Sequence, residues 1–170
     1  MKMLLPLFAG LAALAACAPS GGTEPAPAPA GAAPTIAFDI SSWGKPLVQW
    51  ELASDGTGFH VESKQGKGGF SHYVLTRRRL DVGAAGYAEI RALLAGAERY
   101  AGRELPCKLQ ITDQAYGKLS WNDASTSFNY GCRSPQADDV LAAIEKANER
   151  LKIGAGKGEI LGTDEVGAPR

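Results

Sequence analysis

The chain has 170 residues, of which 18 are acidic and 18 basic, so it is formally uncharged at pH 7. A chain without a basic excess lacks the charge that binding through counterion release requires, which excludes nucleic acid as a partner. Three cysteines and two histidines leave a thin stock for metal or nucleophilic chemistry.

Residues 1–16 follow the order of a secretory signal: Lys2, an apolar run from Met3 to Ala16, and small residues before Cys17. The run is broken by Pro6 and Gly10 and is shorter than the roughly twenty apolar residues that span a bilayer. Leu14-Ala15-Ala16-Cys17 resembles the lipobox of bacterial lipoproteins. The resemblance covers residues 1–17 alone. It implies that residues 1–16 are a signal peptide removed by cleavage, and that Cys17 carries a diacylglycerol thioether with a further acyl chain, such as palmitate, on its new amino group. It also implies that Ala18, standing where Asp would favour inner-membrane retention, directs the protein to the outer membrane. At about 0.8 kcal/mol per buried methylene, more than one acyl chain makes such an anchor effectively permanent.

Residues 18–34 are almost wholly Ala, Pro, Gly, Ser and Thr, including Pro25-Ala26-Pro27-Ala28-Pro29. With the lipidated Cys17 they read as a tether, 17–34. At about 3.1 Å per residue in polyproline II, it reaches up to about 50 Å.

Residues 35–153 are the right size for one core, and the pattern predicts an α+β domain. Its sheet is antiparallel, with about six or seven strands, one inserted helix and one C-terminal helix. Ile36, Phe38 and Ile40 alternate with polar neighbours, as do Val48, Trp50 and Leu52. Asp55-Gly56 predicts a hairpin into a strand whose apolar parity is Phe59 and Val61, which leaves His60, Glu62 and Lys64 on the solvated side. Residues 71–80 read as a fourth strand. Tyr87, Ile90, Leu94, Ala97 and Ala101 give a helix ending before Gly102. Further strands follow around Cys107 to Ile111, Leu119 to Trp121 and Phe128 to Cys132. Ser134-Pro135, with Asp138 and Asp139 behind it, opens a helix whose stripe is Val140, Leu141, Ile144, Ala147 and Leu151. Residues 154–170, with five glycines and no apolar pattern, read as a flexible tail.

Cys107 and Cys132 predict a single disulfide in an oxidising compartment. In a simple three-stranded meander they would lie at opposite ends of the sheet, too far apart to bond. Either residues 108–116 do not form one straight strand antiparallel to the next, or the bridge crosses a bend. A hairpin from about Gly117 to Gly131, with Cys107 near its open end, satisfies the geometry.

Candidate ligand-binding residues are few. Ser42-Trp43-Gly44-Lys45 matches the Ser-x-x-Lys spacing of penicillin-binding proteins, but Gly44 and Pro46 break the helix that the motif requires and its companion motifs are missing. Gly66-Lys67-Gly68 lacks the rest of a phosphate loop. No spacing suggests a metal site or a cofactor. Arg77 and Arg79 would share one face of a strand and could capture an anionic partner such as lipopolysaccharide. Trp50 and Trp121 read as core, while Trp43 is the exposed one, available to stack on a glycan. His60 and His72 are the only candidates for acid-base work. The sequence therefore supports a membrane-anchored periplasmic lipoprotein, not an enzyme, that binds an envelope protein, glycan or lipopolysaccharide. The alternatives are a small periplasmic hydrolase using His72 or His60, and a structural or assembly partner in the outer membrane.

Overall fold

The structure, a computed structural model, describes residues 35–67, 69, 71–122 and 124–167. The expectations for the signal, Cys17 and the tether lie outside these residues.

The two-residue rhythm forms strands where it was expected. They are β1 (Thr35–Ser42), β2 (Lys45–Ala53), β3 (Thr57–Gln65) and β4 (Tyr73–Asp81), followed by α1 (Gly83–Glu98). After α1 come the short β5 (Leu109–Gln110), the hairpin β6 (Tyr116–Trp121) and β7 (Ala124–Asn129), the short β8 (Cys132–Arg133), α2 (Pro135–Gly156) and β9 (Ile160–Val166). The chain is thus mixed α+β, with a seven-stranded antiparallel sheet in the order β7-β6-β1-β2-β3-β4-β9, a two-stranded β5-β8 sheet and one disulfide.

One face of the large sheet carries the core. Cross-strand register stacks Ile36 with Leu52 and Trp121, and Phe38 with Trp50 and Leu119. These side chains join Leu80 from β4, Tyr87, Ile90 and Leu94 from α1, and Val140, Ile144 and Leu151 from α2 in one buried cluster. Phe38 stacks between Trp50 and Phe128, with ring centroids 5.4 and 5.7 Å away. The Trp50 indole N–H is satisfied inside this cluster, donating to Asn148 Oδ1 of α2 at 2.6 Å.

The ends of the elements follow local chemistry. The Asp55-Gly56 turn joins β2 to β3 as expected: Asp55 Oδ1 accepts from the Thr57 amide at 2.8 Å and from its hydroxyl at 2.7 Å. Gly56 has a φ of 85°, and a Cβ there would collide with the Gly83 backbone, so no other residue fits. Ser134 caps α2 by accepting from the Ala137 amide at 3.1 Å, and it donates to the Pro106 carbonyl at 2.7 Å. That second bond ties the start of α2 to the segment that enters the disulfide.

The bridge resolves the two readings of the loop. Residues 108–116 are not one straight strand. β5 leaves the large sheet and pairs with β8, which brings Cys107 and Cys132 to a Cα separation of 5.3 Å.

Two expectations are corrected. Within the stretch expected to be a flexible tail, residues 154–167 are ordered: α2 continues to Gly156, and Ile160–Val166 pairs antiparallel with β4 from Tyr73 to Arg78. All seven residues of β9 are exposed, so the ladder is held by its backbone and by polar contacts at its ends rather than by a buried stripe. His60, expected on the solvated side of β3, is 3% exposed. It pairs across the ladder with Trp50 and so shares the helix-facing side with Gly58 and Glu62. Phe59 and Val61 point the other way, where the Arg77 guanidinium lies 3.7 Å over the Phe59 ring.

Candidate functional site

The larger concavity, about 450 Å³, lies where the open end of the β6–β7 hairpin meets the segment 104–110. Its position follows from pairing. β1 aligns with β6, setting Asp39 opposite Lys118 and Ser41 opposite Tyr116, and β6 aligns with β7, setting Tyr116 opposite Asn129. Gly102 and Leu105 donate backbone hydrogen bonds to Ser125 and Ser127 of β7, at 2.8 and 3.4 Å, which lays the connecting segment along the sheet edge. The disulfide fixes the far side of that segment, and both of its cysteines line the cleft.

The lining mixes flat rings with hydrogen-bonding groups. Tyr116 and Phe128 contribute rings, and Asp39, Glu104, Lys118 and Asn129 contribute charge and amide. Burial raises the Asp39 carboxyl above its ordinary range, and Lys118 beside it pulls part of the way back. Tyr116, Leu109 and Ile111 are exposed at this end of the sheet, and so is Trp43, 70% exposed in the β1–β2 turn with a φ of 52°. Thr35, where the described chain enters, is at the opposite end of β1.

A second cavity, about 220 Å³, sits between β3, β4 and the last turn of α2. It is lined by His60, Glu62, Lys64, Thr76, Arg78 and Lys152, with backbone from Ala155 and Gly156. Glu62 joins Lys152 at 2.9 Å and lies 3.7 Å from Lys64, and these cations hold its carboxyl below the usual range. Burial pushes the His60 imidazole down, so it is neutral at pH 7.

His72 stands apart from both cavities. Its Nδ1 meets the Lys67 carbonyl and its Nε2 meets Glu165 Oε1 at 2.8 Å. These contacts, the Lys67 carbonyl first and Glu165 second, raise the pKa of the ring and favour its imidazolium form. With both nitrogens engaged, the ring acts as a clasp between the β3–β4 loop and β9.

The structure therefore scatters the residues singled out in the sequence. Trp43 stands exposed in the β1–β2 turn, Arg79 pairs with Glu159 at 3.3 Å, Arg77 covers Phe59, His60 lines the second cavity, and His72 is structural. Asp39, Glu104, Tyr116, Lys118 and Asn129 escaped the sequence reading because only the β1–β6 and β6–β7 pairing and the bonding of the segment around Glu104 to β7 unite them. Among the described residues no group of three or more His, Cys, Asp or Glu side chains is placed to hold a metal ion, and no helix is long and apolar enough to cross a membrane. No protein-family model and no curated protein matches the chain.

Proposed function

We propose that the protein is a lipid-anchored lipoprotein of the cell envelope, held at the periplasmic face of the outer membrane by acyl chains on Cys17. Its folded body is a binding module without catalytic activity, and the cleft beside the disulfide takes a segment of an envelope glycan.

The cleft is the observation that supports this reading. Its 450 Å³ volume lies in the range of ligand sites, and Tyr116, Phe128 and several hydrogen-bonding residues line it. Tyr116 offers a half-exposed face for a sugar ring, while Asp39, Lys118 and Asn129 offer acceptors and donors for hydroxyls. The four exposed apolar side chains Trp43, Leu109, Ile111 and Tyr116 at the same end extend the contact beyond the cleft itself. Entry of the chain at Thr35, at the other end of β1, keeps a tether's attachment point clear of the cleft. A histidine-based hydrolase finds no support in His72, whose two nitrogens are both engaged.

Two measurements test the proposal. Cys17→Ser should move the protein from the membrane fraction to the soluble fraction of the envelope. Co-sedimentation of the purified mature protein with peptidoglycan sacculi should weaken about twofold to tenfold on Tyr116→Ala, the range of one aromatic contact. Retention unchanged by Tyr116→Ala and by Lys118→Ala would remove the cleft from the proposal.

A further inference from the structure

The second cavity carries an excess of basic side chains in its lining. Three cations, Lys64, Arg78 and Lys152, line it against one carboxylate, Glu62. Glu62 is shared between Lys152 and Lys64, which leaves an excess of two positive charges in the lining of a concavity of about 220 Å³, with Glu149 outside the lining also acting on Lys152. Arg78 uses one of its five N–H donors on the Gly158 carbonyl, Nη1 to O at 3.1 Å, and the others form no hydrogen bond among the described residues. Neither ring nitrogen of His60 makes a hydrogen bond among those residues either, although the side chain is buried and lines the cavity.

The last turn of α2 also borders the cavity, and a helix C-terminus normally repels anions. Here its end is chemically closed. Lys157 N–H donates to the Gly154 carbonyl at 3.2 Å, Gly158 N–H to the Ala155 carbonyl at 2.9 Å, and Arg78 covers the carbonyl of Gly158. The turn therefore presents few free acceptors to a ligand, and the cationic side chains dominate the local field.

We propose that this cavity binds a phosphate group, with Arg78 as the forked donor, Lys64 and Lys152 as point charges, and the His60 imidazole as an additional donor at its floor. A guanidinium fork matches two phosphate oxygens at once, and an excess of two positive charges matches the dianion better than a carboxylate. The volume equals that of about seven water molecules, enough for a phosphate and part of its ester. The phosphate is either free in the periplasm or the headgroup of a lipid.

Binding leaves a signature at His60. The groups facing its ring are Glu62, Lys64, Arg78 and Lys152, with Thr76 beside them and Trp50 across the ladder. A dianion added among them favours the imidazolium, so the His60 titration must move to higher pH as phosphate saturates, while His72 stays fixed.

The test is a titration of the mature lipidated protein in neutral detergent micelles, with labelled histidines followed by NMR at constant ionic strength. Inorganic phosphate should shift the His60 resonances saturably in the millimolar range. Arg78→Gln should weaken binding about tenfold and Lys64→Gln about threefold, while Lys146→Gln, on the same helix as Lys152 but outside the cavity, should change nothing. Because Lys64 has a side chain 74% exposed, its loss leaves the fold intact, which keeps the test valid if Arg78→Gln unfolds. Dihexanoyl phosphatidic acid, a monomeric lipid phosphate, binding tighter than inorganic phosphate in an Arg78-dependent way identifies a headgroup site. Equal or weaker binding identifies a site for soluble phosphate. No saturable shift, or an equal response in Lys64→Gln and wild type, overturns the proposal.

Discussion

Removing the disulfide is the most informative single perturbation, because it loads both the fold and the cleft. Cys107 and Cys132 are 25 residues apart in sequence, and closing a loop of that length withdraws enough entropy from the unfolded chain to stabilise the native state by about 3.5 kcal/mol at 25 °C. For a body of this size that corresponds to a fall in Tm of roughly 10 to 15 °C. The local structure offers little to replace it. β5 and β8 pair over only two residues each, and an isolated pair of that length does not hold itself. The double variant Cys107→Ala/Cys132→Ala avoids leaving a free thiol, and urea unfolding followed by the fluorescence of the buried Trp50 and Trp121 reads the loss. Reduction of the wild type should give the same midpoint. Sacculus binding should fall with it, since the segment 104–110 loses its attachment beside the cleft. A double variant within about 1 kcal/mol of wild type would refute the loop-closure argument, and full binding by that variant would show that the cleft does not depend on the bridge.

Ser134→Ala removes the cap of α2 and its bond to Pro106, and should cost about 1 to 2 kcal/mol in urea unfolding. Thr126 is 1% exposed, and its hydroxyl finds no hydrogen-bond partner among the described residues, so Thr126→Val should raise stability by about 1 kcal/mol; a loss instead would show that the hydroxyl is satisfied in solution. His72→Gln tests the clasp through its pH dependence. Because the folded pKa of His72 lies above its ordinary value of 6.5, its stabilisation is fully present below that pH and is lost as pH rises through the folded value. The gap in Tm between wild type and His72→Gln should therefore be widest below pH 6.5 and narrow in alkali. A gap independent of pH would show that the imidazole is neutral.

The parts of the fold that bury a stripe were legible in the sequence. Ile36, Phe38 and Ile40 announce β1, the Asp55-Gly56 turn announces the β2–β3 hairpin, and Ser134-Pro135 with the stripe from Val140 to Leu151 announces α2. Burial failed as a guide in two places for different physical reasons. β9 buries none of its side chains, so no local periodicity marks it; only the free edge of β4 defines it. β3 has a clear alternation read with the wrong sign. Its apolar side chains Phe59 and Val61 lie on the face without helices, shielded by neighbours such as Arg77, while Gly58, His60 and Glu62 face the helices. Alternation gives a strand two faces, but only its neighbours say which one is covered. The cleft was illegible for the same reason at longer range. Asp39 and Lys118 become neighbours only when β6 returns to the edge of β1.

The reversed strand also explains where the concavities lie. The helices cover the middle of the sheet, where the inward positions are Phe38, Trp50, Leu52, Leu80 and Leu119. At β3 and β4 the inward positions become His60, Glu62, Thr76 and Arg78, and there α2 is in its final turn. Toward the open end of β6 the inward position is Gly117, whose missing side chain makes room for the ring of Phe128, and there the segment 104–110 replaces a helix. In both places the run of large apolar residues on the core parity is interrupted where the helices give out, at Gly117 on β6 and at His60 and Arg78 on β3 and β4. A fully apolar continuation would extend the core and leave no cavity. A polar group on that parity is costly unless it has partners, and the ion pair of Glu62 with Lys152 meets that demand for one residue, while His60 and most of the Arg78 donors find no hydrogen-bond partner among the described residues. Stability alone would favour apolar residues at those two positions, so the reason for them is sought in what the cavity binds.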